Sequence, residues 1–168
     1  LRDARTRILV FNKDGSSAGE VEVPPFSTAS IRADGEKQAL LTIESFTSPE
    51  TTWRVDLAPG ARTPDEPPRV SWDASAFEVE QVRATSKDGT GVPVFVVRRR
   101  DMPRDGTVPV YMTGYGGFYA PSKPRFNPVA AAWLESGGAY ALAILRGGSE
   151  YGERWHRAGM LLNKPRVF

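Results

Sequence analysis

The stretch Ala139-Tyr140-Ala141-Leu142-Ala143-Ile144-Leu145 decides the fold, and it ends abruptly at Arg146-Gly147-Gly148. An uninterrupted apolar run between glycine-rich turns is typical of a strand that is covered on both faces. Just upstream, Asn127-Pro128 supplies an N-cap and a first-turn proline, and Gly137-Gly138 supplies a stop. The sequence therefore predicts a helix followed by a buried strand, as at the start of an α/β domain.

Further strands precede this helix. Residues 77–85 and 92–97 have the composition of strands, and Lys87-Asp88-Gly89-Thr90-Gly91 joins them as a hairpin turn. Residues 108–112 are expected to form a shorter, buried strand that enters Gly114-Tyr115-Gly116-Gly117-Phe118. The order strand, helix, strand favours a right-handed βαβ unit in a mostly parallel sheet.

The first part of the chain has a different pattern. Turn residues separate four short runs that resemble strands, at residues 7–11, 19–23, 39–46 and 51–57. These runs predict one antiparallel meander, which is the unit of a β-propeller blade or a piece of a sandwich. The proline-rich residues 58–72 are expected to be a connector, so that residues 1–72 and 73–168 belong to two domains.

The composition excludes several classes of protein. The 168 residues are 40% hydrophobic and 25% charged, as in a globular chain. With no Cys and with His156 as the one histidine, no disulfide, thiolate metal site or multi-His metal site can form, and no cofactor is predicted. A net charge of +2 is too balanced for a nucleic-acid binder. No apolar run approaches the roughly 18 residues of a membrane span. Cytoplasmic and periplasmic placement stay equally open.

Three short motifs match known sites only in part. Gly15-Ser16-Ser17-Ala18-Gly19 fits the nucleophile elbow G-x-S-x-G, but it lies between two exposed strands, so a hairpin loop is predicted. Residues 147–152 have the glycine spacing of a P-loop, but Glu153 stands in the place of the lysine. Gly114-Tyr115-Gly116 begins a dinucleotide fingerprint, but Tyr119 replaces the third glycine. Neither segment predicts a phosphate site.

Tyr115 in the glycine-rich loop is a candidate catalytic residue. Glycines after a strand let the backbone turn sharply where α/β sheets bind ligands. The phenol stays protonated at neutral pH and can donate a hydrogen bond to a developing oxyanion. The alternative is that Tyr115 packs at a tight turn, and the local sequence favours that alternative.

His156 is the one histidine available as a general base. Residues 151–162 are expected to form a helix that carries it beside Trp155. No nucleophile accompanies it in the sequence, so a packed, hydrogen-bonded histidine is predicted. The basic run Arg98-Arg99-Arg100 is likewise expected to be a solvated strand exit rather than a phosphate site.

Four blocks, taken together, resemble the prolyl oligopeptidase family. They are Gly114-Tyr115-Gly116-Gly117-Phe118, Trp133-Leu134-Glu135-Ser136-Gly137-Gly138, Arg146-Gly147-Gly148-Ser149-Glu150-Tyr151-Gly152-Glu153-Arg154-Trp155-His156 and Asn163-Lys164. Within the family, Gly117-Phe118 and Tyr151 favour prolyl oligopeptidase proper over the oligopeptidase B branch. The resemblance implies the last blade of a β-propeller over residues 1–72. It implies the first part of an α/β-hydrolase domain, truncated before the nucleophile, over residues 73–168.

The resemblance also implies roles for single residues. Tyr115 matches the tyrosine whose hydroxyl completes the oxyanion hole, and Phe118 matches an aromatic residue that lines the substrate pocket near the proline. Residues 146–152 match a structural turn, and His156 is not the catalytic histidine of the family. The catalytic Ser, Asp and His of the family lie beyond Phe168.

The activity implied by the resemblance is that of a serine endopeptidase that cleaves short peptides after proline without a cofactor. Its partners are short proline-containing peptides and the remainder of the same polypeptide. Both ends of the chain look cut and the triad is missing, so we expect a fragment that is inactive alone. The alternatives are another hydrolase of the superfamily (oligopeptidase B, an acylaminoacyl peptidase or an esterase) and an inactive, truncated binding module.

Overall fold

A computed structural model of the chain describes residues 6–56, 62–66 and 72–167. The chain divides into two compact units. The first contains Leu1–Trp72 together with Lys123–Phe126, and the second contains Asp73–Ser122 and Asn127–Phe168. The short segment Lys123–Phe126 is fastened within the first unit, because its Pro124 carbonyl accepts a hydrogen bond from the Thr28 hydroxyl at 2.6 Å.

A β-hairpin opens the first unit. Strand β1 (Ile8–Phe11) pairs antiparallel with β2 (Ser17–Val21). In the turn, the Asn12 amide donates to the Ser16 carbonyl at 2.8 Å, and Gly15 has a φ of +85°, which glycine adopts without steric cost. The predicted hairpin loop is confirmed, so the G-x-S-x-G match is not a nucleophile elbow.

The larger sheet of this unit is an antiparallel meander. Its strands, in spatial and sequential order, are β3 (Ser27–Ala33), β4 (Gln38–Ser45), β5 (Thr51–Asp56) and β6 (Arg62–Glu66). The hairpin and the sheet share one apolar cluster, which contains Ile8, Val21, Ala29, Leu41, Ile43, Trp53 and Val55. Burying one large apolar side chain of this kind contributes roughly 1.5–3 kcal/mol, so this cluster holds the hairpin on the sheet.

The meander differs from the predicted one in its strands. The sequence predicts residues 7–11 and 19–23 as its first two strands, but β1 and β2 form a separate hairpin. Strand β3 is not predicted, because its small polar residues hide the alternation, yet it pairs with β4 along its whole length. Strand β6 lies inside the predicted connector, residues 58–72. The rest of that connector before Trp72, and Leu57, fall outside the described residues.

The second unit is built on a mixed sheet in the order β7-β8-β10-β9. These strands are β7 (Phe77–Thr85), β8 (Gly91–Arg99), β9 (Val110–Gly114) and β10 (Ala139–Ala143). β7 and β8 are antiparallel because a tight turn joins them, in which the Ser86 amide donates to the Thr90 carbonyl at 2.9 Å. β10 runs antiparallel to β8 and parallel to β9. The prediction of a mostly parallel sheet is therefore wrong for the described residues.

Helix α1 (Pro128–Glu135) lies between β9 and β10 in the chain and completes the predicted βαβ unit. Asn127 caps it, since its Oδ1 accepts a hydrogen bond from the Val129 amide at 2.9 Å. Proline fits the first turn, where its missing N–H leaves nothing unpaired. Gly137, with a φ of +93°, follows the last turn, as predicted.

The core of this unit involves α1 and the central strands β8 and β10. Leu134 of α1 and Phe95 and Val97 of β8 are at most 1% exposed. On β10, every residue except Leu142 is buried, so the prediction of a strand covered on both faces is confirmed. The apolar run that decides the fold is thus the centre of the sheet.

The basic run at the end of β8 is only partly at the surface. Arg98 is buried, and its guanidinium pairs with Glu78 and lies 3.8 Å from Glu80 on the neighbouring strand β7. Arg99 pairs with the exposed Asp101 at 3.0 Å. The predicted solvated strand exit is therefore wrong for Arg98, because the register of the hairpin places Glu78 opposite it.

The predicted helix over residues 151–162 is interrupted. Helix α2 covers Glu153–Arg157, and a 3-10 turn covers Leu161–Arg166. Gly159 separates the two, and a Cβ at this position would lie 2.4 Å from the Arg146 carbonyl oxygen, so only glycine fits. Within the described ranges, no helix has the length and apolar character needed to cross a membrane.

Candidate active-site loop

The glycine-rich loop after β9 carries both predicted site residues, Tyr115 and Phe118. Tyr115 is 55% exposed and Phe118 is 89% exposed. Phe118 also has a φ of +52°, a left-handed conformation that bulky residues rarely adopt. The structure therefore places both aromatic side chains on one accessible and conformationally constrained loop.

Strand β9, which leads into this loop, is an exposed edge strand. Val110 and Met112 are 54% and 60% exposed, and among the strands that the structure describes, β9 pairs with β10 alone. The apolar composition of residues 108–112 predicts a buried strand, and this prediction is wrong for the described chain. The loop consequently leaves the sheet at its edge.

The loop packs directly on the backbone of a second turn. At Gly116, whose φ is +61°, a Cβ would lie 2.7 Å from both the Arg146 carbonyl oxygen and the Leu145 Cβ. At Gly147, whose φ is +103°, a Cβ would lie 2.4 Å from the Gly116 carbonyl oxygen. Because neither glycine has a side chain, the two turns can approach this closely.

Two hydrogen bonds fasten the loop on either side of Gly117-Phe118. The Tyr119 amide donates to the Gly147 carbonyl at 3.1 Å. The Lys164 ammonium donates to the Gly116 carbonyl at 2.6 Å, a charge-assisted bond from the 3-10 turn near the end of the chain. These bonds restrain a segment whose glycines would otherwise leave it free to move.

His156 supports the same turn. Its Nδ1 lies 2.7 Å from the Gly147 carbonyl oxygen and donates to it, since a carbonyl can only accept. Its ring also meets the Tyr119 ring edge to face, with 5.0 Å between centroids. The prediction of a packed, hydrogen-bonded histidine is confirmed.

Arg146 begins the second turn and is buried, with 5% exposure. Its guanidinium pairs with the Asp88 carboxylate and donates to the Thr90 hydroxyl at 3.2 Å, the Ser86 hydroxyl at 3.0 Å and the Arg166 carbonyl. The hydrogen bond from Arg146, followed by those from Thr90, holds the pKa of the Asp88 carboxyl well below its usual range. This buried, multiply bonded guanidinium fixes the turn on which the glycine-rich loop packs.

Glu150 is a second buried charged residue of this turn, also 5% exposed. Its Oε1 accepts a hydrogen bond from the Ser122 amide at 2.6 Å. Gly148 leaves room for it, because a Cβ there would lie 2.1 Å from Glu150 Oε2. Glu150 and Lys164 stand in the blocks that resemble the family, but the sequence does not predict their contacts, because their partners are 28 and 48 residues away. For Glu150, the one local signal is a charge in a glycine-rich segment.

A cleft of about 450 Å³ opens beside the loop. Glycines line part of it, and the remaining lining side chains are Phe118, Tyr119, His156, Met160, Leu161 and Lys164. A mostly apolar cleft of this size with a few polar groups is suited to a small ligand or a short peptide segment. In the part of the chain that the structure describes, no group of three or more His, Cys, Asp or Glu side chains could hold a metal ion.

The chain is similar to curated peptidases from end to end. It is 40% identical over 168 residues to an uncharacterised peptidase, y4nA, from Sinorhizobium fredii, and the match covers 98% of this chain and 23% of that protein. It is 34% identical over 170 residues to a prolyl endopeptidase from Elizabethkingia miricola, with 100% and 24% covered. No family model matches the chain.

A solved structure agrees with these sequence matches. It comes from a structural and mechanistic study of two prolyl endopeptidases, and it superposes on this chain with a TM-score of 0.91 at 37% identity. The superposition covers 99% of this chain and 25% of the solved one. The chain thus spans about a quarter of the length of the proteins that it matches.

Proposed function

We propose, because this chain belongs to the prolyl oligopeptidase family, that it is part of a longer serine endopeptidase that hydrolyses short peptides on the carboxyl side of proline. The observation that carries the proposal is the exposed Tyr115 on a backbone-restrained loop directly after a strand of a βαβ unit. A hydroxyl that donates a hydrogen bond at the end of such a strand can stabilise the oxyanion that forms in acyl transfer.

The two units take different parts in this proposal. The antiparallel meander β3–β6 supports the assignment of residues 1–72 as the last blade of a β-propeller with its connector. The βαβ unit supports the assignment of residues 73–168 as the first part of an α/β-hydrolase domain. The propeller would admit short peptides and exclude folded proteins.

Tyr115 is proposed to complete the oxyanion hole. The serine hydroxyl of the longer enzyme gives its proton to the histidine base while its oxygen forms a bond to the scissile carbonyl carbon, and the carbonyl π electrons move onto the carbonyl oxygen. The Tyr115 hydroxyl and a backbone N–H donate hydrogen bonds to that oxygen and stabilise the tetrahedral intermediate. The serine, its histidine base and the aspartate come from beyond Phe168.

Phe118 is proposed to line the pocket for the proline ring. It is 89% exposed and projects from a left-handed backbone position, so its ring is available for apolar contact with a substrate. Its place three residues after Tyr115 would couple recognition of the proline to the position of the carbonyl that is attacked.

Replacing Tyr115 with Phe in the full-length enzyme tests the oxyanion role. Losing one oxyanion donor typically lowers kcat by on the order of 10²–10³, with a modest change in KM. Tyr111→Phe is the matched control, since it removes a hydroxyl from β9 without touching the loop. An unchanged kcat for Tyr115→Phe would remove the basis of the proposal.

The 168-residue chain itself is proposed to be inactive, because it lacks the nucleophile and base. Incubation with a proline-containing chromogenic peptide is expected to give no turnover, whereas turnover sensitive to a serine-directed inhibitor would contradict this. A panel of peptide and ester substrates, given to the full-length protein, separates cleavage after proline from the activities of the other superfamily branches.

A further inference from the structure

Lys164 reaches the active-site loop from a distant part of the chain. It belongs to the 3-10 turn Leu161–Arg166, and its ammonium donates to the Gly116 carbonyl at 2.6 Å although 48 residues separate the two. The bond is partly buried, and its donor is charged, so it is stronger than a bond between neutral groups.

The Lys164 ammonium and the Tyr115 ring both lie beside Gly117. A Cβ built on Gly117 would lie 3.6 Å from Lys164 Nζ and 3.7 Å from the Tyr115 ring. Lysine and tyrosine therefore flank one face of Gly117, and the carbonyl that Lys164 holds belongs to Gly116, the residue directly after Tyr115.

We propose that Lys164 is a positioning residue for Tyr115, and that its bond to the Gly116 carbonyl fixes the direction of the phenol hydroxyl toward the developing oxyanion. This inference rests on the proposed function of Tyr115. A loop with glycines at 114, 116 and 117 samples many backbone conformations, and hydrogen-bond donation to a transition state depends steeply on placement. Lys164 restrains that freedom at Gly116, the residue next to Tyr115.

The proposal distinguishes positioning from simple stabilisation. If Lys164 acts through Tyr115, its loss lowers kcat when the phenol hydroxyl is present and has little further effect once that hydroxyl is gone. If Lys164 only stabilises the fold, its loss acts equally in both backgrounds. Residues that act as a unit show this non-additivity.

The experiment is a double-mutant cycle in the full-length enzyme with Lys164→Met and Tyr115→Phe, assayed on a proline-containing chromogenic peptide. Lys164→Met is expected to lower kcat about tenfold or more with little change in KM, and to lower it less than about threefold in the Tyr115→Phe background. Lys164→Arg, which keeps a charged donor, is expected to recover part of kcat. Lys87→Met, the same change at an exposed lysine of the β7–β8 turn, is expected to leave kcat unchanged.

The outcomes separate this inference from the function on which it rests. An equal loss of kcat in both backgrounds, or no loss from Lys164→Met while Tyr115→Phe is impaired, overturns the positioning role and leaves the function of Tyr115 standing. An unimpaired Tyr115→Phe overturns both. If Lys164→Met does not fold, Lys164→Arg takes its place in the test. Its affinities for a peptide aldehyde and for the matching unreactive peptide amide are then compared with those of the wild type. Weakened binding of the aldehyde alone supports positioning, and equal changes in both affinities contradict it.

Discussion

Arg146 and Asp88 form an ion pair that joins two turns 58 residues apart in the chain. The guanidinium is buried, whereas the carboxylate is partly exposed at the end of the β7–β8 hairpin. The backbone of Arg146 also contacts Gly116, so this pair connects the hairpin to the loop that carries Tyr115.

The first prediction concerns pH. The pKa of Asp88 is lower in the folded protein than in the unfolded chain, so the unfolded state binds more protons. Stability therefore rises with pH between the folded and the unfolded pKa of this carboxyl. The stabilisation from Asp88 is fully present above the unfolded pKa of about 3.9 and is lost as pH falls toward the folded pKa. Asp88→Asn is therefore expected to lower the Tm at pH 7, with a gap to the wild type that narrows below about pH 4.

Calorimetry of the full-length protein between pH 3 and pH 8 measures this gap. Glu36→Gln, at an exposed carboxylate of the β3–β4 turn, is the control and is expected to leave the pH dependence of the Tm unchanged. A gap for Asp88→Asn that is constant over the whole range would show that the ion pair does not contribute through ionisation.

The second prediction concerns the close approach of the two turns. Gly116→Ala combines a left-handed φ with a Cβ 2.7 Å from a carbonyl oxygen, so it is expected to destabilise the protein by about 2 kcal/mol or more and to lower kcat. Gly106 has a similar φ of +82°, but a Cβ there would meet no atom within 4 Å. Gly106→Ala is therefore expected to lower the stability by about 1 kcal/mol and to leave kcat unchanged. Equal effects of the two substitutions on stability and kcat would show that the close approach of Gly116 to the Arg146 carbonyl does not contribute.

The third prediction concerns the start of α1. Asn127→Ala removes the acceptor for the Val129 amide and is expected to lower the free energy of unfolding by about 1 kcal/mol. Asn127→Asp keeps the acceptor and is expected to be nearly neutral. Chemical denaturation with hydrogen exchange of the α1 amides measures both effects, and a neutral Asn127→Ala would show that the cap is dispensable.

The fourth prediction concerns His156. Its Nδ1 donates to the Gly147 carbonyl and its ring packs edge to face on Tyr119, so its described contacts are those of a residue that supports the turn. His156→Asn, whose amide can still donate to that carbonyl, is expected to lower kcat by less than about tenfold and to leave the shape of the pH–rate profile unchanged. Loss of a general base would lower kcat by about 10²–10⁴ and would remove one limb of that profile.

Local chemistry explains which parts of the fold the sequence predicts. The cap at Asn127, the turn at Gly15 and the buried run of β10 each depend on residues that are neighbours in the chain. Strand β3 is not predicted because its identity depends on pairing with β4, and the helix over residues 151–162 is interrupted because Gly159 contacts a distant carbonyl.

The candidate site divides in the same way. Tyr115 and Phe118 are found from the sequence because glycines and resemblance to a family point to their loop. Lys164 and Arg146 stand in blocks that resemble the family, but the contacts by which they support the loop could not be predicted, because their partners are 48 and 58 residues away in the chain.

Strand β9 has a practical consequence for handling this chain. Among the described strands, none pairs with the outer edge of β9, and Val110 and Met112 on this strand are exposed. An open, apolar strand edge is a template for the addition of a strand from another molecule, so concentrated preparations of the chain alone would tend to self-associate. Charged substitutions at these two positions would be the direct way to keep it monodisperse in solution.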